Sequence, residues 1–280
     1  MDNEMKTDSD SSSYKKPKNS LIGFCLGDLT SWDKIVRLLC RPEDPSSLAV
    51  FRIAFGFLMV LDIGHERGFA YIDHVYGSTA DICKFPLFDF LKPMSVLHMS
   101  VIYTAMLFGA VGICLGFRYR LASIVFTFSY WYVFLLDKTR WNNHSYLYGL
   151  IGLMMCVFDA HHFWSIHGFF DKRKCNTHVP LWQYFVLRTQ IFFVYFIAGL
   201  KKSEYDWLAG YSFSTLGEHW VFAPFRLFLP TKLVTWLVIH GSGFIIDSLV
   251  GFFLFFDKTR LVGTLIVTAF HLMNSQIFAI

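Results

Sequence analysis

Long apolar runs separated by short polar stretches dominate the chain. Seven of them cover 48–63, 94–117, 121–136, 141–158, 179–200, 233–256 and 261–280. An α-helix needs about 17–25 such residues to cross a bilayer core, and the third and fourth runs lie at the short end of that range. No Gly/Ser-rich linker divides them. The pattern therefore predicts an all-α, polytopic transmembrane helix bundle of about seven spans over 31–280. A polar tail over 1–30, rich in Ser, Asp and Lys at its start, is expected to be disordered and cytosolic. It has no apolar h-region of a signal peptide, so the first membrane helix is expected to direct insertion.

The short loops suggest an orientation. With the amino terminus in the cytosol, Lys34, Arg37 and Arg41, the pair Arg118/Arg120, the run 172–174 and the pair Lys258/Arg260 all fall on the cytosolic side. Stretches 64–93, 137–140 and 201–232 fall on the other side, where acids roughly balance bases. This is the positive-inside bias. It puts the loop around Asp137–His144 and the loop opening at Lys201 on one non-cytosolic face.

Composition supports a lipid solvent. Hydrophobic residues make up 54% of the chain and charged residues 16%, against about 25% charged in an average soluble domain. The net charge of +4 comes with no basic tract, which argues against a nucleic-acid partner. Cys25, Cys40, Cys83, Cys114, Cys156 and Cys175 form no CxxC pair, and no zinc or haem spacing is present. Cys83, in a polar loop, is the candidate for a disulfide. Phosphate-loop, dinucleotide and nucleophile-elbow motifs are lacking as well.

Candidate chemistry is confined to a few polar residues in or beside the apolar runs. Lys201 and Lys202 end the fifth run. They fit interfacial anchors, with stems along the helix and ammonium groups in water. They also fit a second reading, in which Lys202 turns back under Trp207 and Tyr205 into an apolar pocket. Loss of hydration favours a neutral amine there, and a neutral amine is a base. Asn142-Asn143-His144-Ser145 opens the fourth run; one Asn suits a helix cap, while His144 and Tyr148, four apart, share a face. Asn143-His144-Ser145 is also a glycosylation sequon, too close to the membrane edge for modification. His271 lies mid-run with Asn274 and Ser275 one turn on. Arg52, Arg188 and Asp247 are charges within spans, where pairing is expected; the simplest pair is Arg188 with Asp247, leaving Arg52 with no evident partner. His161, His162 and His167 fit no standard ligand set, so no metal is expected.

Four stretches carry a resemblance: RPEDPSSLAVFRIAFGFLMVLDI, YWYVFLLDKTRWNNHSYLYGL, HVPLWQYFVLRTQIFFVYFIAGLKKSEYDWLAGYS and FHLMNSQIFAI. With weaker matches between them, the chain from about Arg37 to Ile280 resembles the vitamin K-dependent gamma-glutamyl carboxylase family. The resemblance implies a multi-pass enzyme of the endoplasmic reticulum membrane with its active site on the lumenal side. Such an enzyme converts Glu of secretory proteins to gamma-carboxyglutamate, using vitamin K hydroquinone, O2 and CO2 and releasing the epoxide. By position, it implies Lys202 as the amine base on the quinol, His144 in the glutamate carbanion step, and Asn143 and His271 beside the cofactor. Implied partners are propeptide-bearing Glu substrates, membrane lipid and, functionally, vitamin K epoxide reductase. Family members continue into a large lumenal region, which holds the family partner of Cys83, so a shortened chain with only the quinone half of the site is the expectation here. The alternative is a non-catalytic membrane protein that binds lipid quinones or partner proteins.

Overall fold

A computed structural model describes residues 26–77, 83–166, 168 and 177–278. Most of the tail, His167 and the basic run at 172–174 lie outside the described residues. The long helices are α1 (Trp32–Leu39), α2 (Ser46–Gly64), α3 (Val96–Leu115), α4 (Tyr119–Leu136), α5 (Asn143–Val157), α6 (Leu181–Lys201), α7 (Ser242–Phe255) and α8 (Arg260–Phe278). Each of the seven apolar runs forms a helix within a few residues of its sequence bounds. The chain is an all-α, multi-pass membrane protein, with six helical stretches among the described residues long and apolar enough to cross a bilayer rather than seven. The difference is α5: its 15 residues rise only about 22 Å, and polar Trp141 and Asn142 precede it as a non-helical cap. α1 escaped the sequence reading because an eight-residue amphipathic helix falls below the length of a span.

The chain divides into two compact units, 42–184 and a second formed by 185–280 with the residues up to Arg41. In the first, α2, α3, α4 and α5 pack on one another in sequence. A two-residue antiparallel pairing, Pro42–Glu43 with Val179–Pro180, ties its ends together. Met59, Met99, Tyr103, Met106, Phe126 and Tyr130 fill its core. Close helix contact needs small residues in a membrane, where apolar burial alone does not drive association. Gly109 meets this need: a Cβ there would lie 2.8 Å from the backbone nitrogen of Phe126. Phe108 and Phe128, on the outer faces of α3 and α4, stay more than two-thirds exposed, as a lipid-facing surface requires.

Two buried cations hold this unit together. Arg52 is fully buried and donates to the carbonyls of Ile113 (2.8 Å), Cys114 (2.9 Å) and Trp164 (2.6 Å). It thus satisfies the carbonyl end of α3, the partner that sequence did not reveal. Arg67 pairs with Asp62 at 3.0 Å, both side chains 7% exposed, and donates to Ser145 Oγ at 2.5 Å.

In the second unit α6 packs against α7, and α7 against α8. A π-helical stretch, Val234–Gly241, leads into α7, and π-turns gather at functional positions. The connection between α6 and this stretch folds into short turns, including Tyr205–Leu208 and Trp220–Phe222. Phe222, Val234 and Ile239 form a small core there, with Leu216 and Met273 packed on it.

Candidate functional site

The tetrapeptide 199–202 acquires its geometry from the α6–α7 contact. Gly199 sits so near α7 that a Cβ would lie 2.7 Å from the backbone nitrogen of Ser248. Three residues later the amide of Lys202 still bonds to the Ala198 carbonyl at 3.1 Å, so its side chain continues the helical face that carries Tyr195 and Gly199. Lys201 is exposed, as an anchor would be. Lys202 turns inward. Its Nζ bonds to Asp247 Oδ2 on α7 and lies 4.9 Å from the ring centre of Trp207 and 5.6 Å from that of Phe270. Both rings present a π face to the amine within cation–π range.

Beyond Nζ lies a cavity of about 200 Å3. Its walls are mostly apolar and include Phe213, Phe222, Met273 and Ile277; the polar groups at its surface are Lys202, Ser242 and Asn274. Such a cavity, apolar with few polar groups, is the usual form of a small-molecule site, though it falls below the common range of about 300–1,000 Å3. Trp207 is held over it by a hydrogen bond from its indole to the His240 carbonyl at 3.0 Å. The His240 ring is fixed in turn, its nitrogens 2.7 Å from Thr235 O and 2.5 Å from Ser212 O. Gly243 lines the wall beside these groups; a Cβ there would sit 3.3 Å from Trp207 and 3.7 Å from Lys202 Nζ.

The sequence reading of the lysine pair stands in part. Lys202 does turn under Trp207. Tyr205 does not cover it, being 74% exposed and set against Tyr211. The expected Arg188–Asp247 pair does not form. Arg188 pairs with Asp257 at 3.0 Å, and Asp247, buried in α7, takes Lys202. Helix ends suggested otherwise: Arg188 lies seven residues into α6 and Asp247 eight residues from the end of α7, depths of about 10 and 12 Å. The Gly199–Ser248 contact sets a different register, and the first residues of α6 run past the end of α7. Phe185 and Phe255 accordingly meet at 5.8 Å between ring centres.

His271 Nε2 lies 2.9 Å from the Tyr195 hydroxyl, and Ser275 returns its hydroxyl to Leu272 O. Of the stripe His271, Asn274 and Ser275, only Asn274 lines the cavity. Asn143 and His144 belong to the first unit, on exposed positions of α5. The cap is Asn142, whose Oδ1 accepts from the amide and hydroxyl of Ser145, both at 2.7 Å. Asp159, His161 and His162 bring their ligand atoms within 4.8 Å of one another. Arg120 and Gln183 donate to the two oxygens of that carboxylate at 2.5 and 2.7 Å. Phe213 and Met273 escaped the sequence reading, and Asp247 was read there only as a partner for Arg188. For Asp247 a signal existed, since an acid within a span requires a cation.

The HTTM domain matches residues 40–280 of the chain. This domain occurs in vitamin K-dependent gamma-carboxylases and in related membrane proteins. No solved structure matches the chain.

Proposed function

The chain belongs to the HTTM domain family, and from that premise we propose that it is the quinol-handling membrane part of a vitamin K-dependent gamma-glutamyl carboxylase. The supporting observation is the apolar cavity with a single amine, Lys202, at its wall. The cavity suits a neutral aromatic ring head: apolar walls favour an uncharged ring, Asn274 and Ser242 offer polar contacts, and about 200 Å3 leaves a long prenyl tail to the surrounding lipid. Bound there, vitamin K hydroquinone supplies, with O2, the strong base that no side chain provides for the gamma-proton of Glu.

The protein's own part is narrower. The walls exclude water. Trp207 and Phe270 confine the amine, and Nζ of Lys202 receives the phenolic proton. In this reading His144 serves the glutamate carbanion step, Asn143 serves the cofactor, His271 supports the cofactor through Tyr195, and the site faces the lumen of the endoplasmic reticulum. Propeptide-bearing Glu substrates and vitamin K epoxide reductase are the partners. CO2 is consumed, and no metal is used.

One observation favours the non-catalytic quinone binder. The Lys202 Nζ is engaged by the buried carboxylate of Asp247, whereas a base must offer a free lone pair to the quinol. The experiment that separates the readings expresses the chain in carboxylase-deficient cells supplied with reduced vitamin K, and assays epoxide and carboxylated Glu separately. Epoxide formation is the expected result, with or without carboxylation. Saturable quinol binding without epoxide would establish the binder instead.

A further inference from the structure

We infer that Asp247 is a positioning residue of this site: it fixes Lys202 Nζ at the cavity wall and supplies the counter-charge on which proton uptake by that amine depends. The inference rests on the reading of Lys202 as proton acceptor.

The physical difficulty is the product of the transfer. When Nζ takes the phenolic proton, the O–H bond breaks, its electron pair stays on oxygen, and a new N–H bond leaves an ammonium in apolar surroundings. An ion formed there without a partner is strongly disfavoured. A desolvated lone lysine is therefore neutral and available, yet a weak base. Asp247 removes that conflict. Its side chain is 6% exposed and that of Lys202 20%, so little water intervenes between them. What changes is the ammonium, which forms already paired. Before the next transfer Nζ must return a proton to solvent, and the carboxylate opposes that loss.

The groups around Nζ are few. α7 contributes Asp247, the 205–208 turn contributes Trp207, and α8 contributes Phe270; the two rings do not titrate. Behind Asp247, close enough for its charge to act on the phenol, stands Tyr195, which is bonded to His271. Gly199 and Gly243 are the small residues that let α7 approach, one toward the backbone of α6 and one toward the Nζ–Trp207 contact.

The test compares Asp247→Asn and Asp247→Glu with the wild type, in lipid nanodiscs, by two readouts. The first is the pH dependence of epoxide formation. An opposite charge at this range shifts a titration by about 1–3 units. Loss of the carboxylate should thus move the alkaline rise of the rate to lower pH by about that amount and lower its plateau, while Asp247→Glu restores the wild-type profile. A purely structural role would lower the amount of active protein and leave the profile in place, and that result would overturn the inference.

The second readout needs no turnover and no folded Asn variant. In Lys202→Ala, Asp247 is left as a buried carboxylate beside an empty volume. Methylammonium should bind there and raise the unfolding temperature saturably, and acetamide, of similar size and uncharged, should not. No stabilisation by methylammonium would overturn the inference even if the wild type turns quinol over. A wild type that makes no epoxide, but whose Lys202→Ala variant binds methylammonium, would fail the base reading and keep only the positioning role.

Discussion

Arg67 and Asp62 show what a single buried charge costs in this protein. Both side chains are 7% exposed, and Arg67 also holds Ser145, while its carbonyl accepts from the Tyr103 hydroxyl at 2.7 Å. Truncating one partner leaves the other charged and buried, which typically costs about 3–5 kcal/mol, whereas replacing both is far milder. Arg67→Ala should therefore sharply lower the unfolding temperature in detergent, and Asp62→Asn with Arg67→Leu should recover most of the loss. A double variant as unstable as the single one would refute the pairing as the cause. The same logic explains which residues were legible in the sequence. Lys202 could be singled out because a cation beside a tryptophan at the end of an apolar run has few readings. Arg52 could not be given a partner, since its acceptors are backbone carbonyls, two at the end of α3 and one at Trp164, and every residue has a carbonyl. Asp247 was visible as an acid in need of a cation, but composition does not say which cation.

Register between helices, the quantity that decides that question, belongs to the scale of elements. α6 and α7 meet where Gly199 faces Ser248 and where Gly251 faces Phe192. A side chain at Gly199 would strike the Ser248 backbone, not only its hydroxyl. Gly199→Val should then force the helices apart at about 1–3 kcal/mol, the range for overpacking a filled interface. It should also separate Lys202 from Asp247, seen as weaker quinol binding. Because the obstacle is backbone, adding Ser248→Ala should not rescue it. Rescue by that change would locate the contact in the side chain and remove the argument for register. Helix existence was readable for each of the seven apolar runs, all of which are helical, but not for the short amphipathic α1. What hydropathy did not carry was the π-helical entry to α7, which depends on how His240 and Trp207 are seated, and on contacts far apart in sequence.

For the molecule as a whole, the outcome turns on α5. Its 15 residues make it the one apolar run too short to cross by length alone, and every later loop changes sides if it does not cross. The charge distribution argues that it does: only then do Lys258 and Arg260 share one side of the membrane with Arg118 and Arg120. A helix of about 22 Å can cross by local thinning of the bilayer, at a fraction of a kcal/mol per ångström of mismatch. A glycosylation acceptor inserted near Phe90 and another inserted near Tyr211 should accordingly both be modified in microsomes, and one inserted near Lys258 should not. Modification near Phe90 but not near Tyr211 would mean that α5 lies along the membrane rather than through it. Lys202 and its cavity would then open to the cytosol, where no secretory Glu substrate is found. The carboxylase reading would fall with that result, and a quinone-binding role would remain.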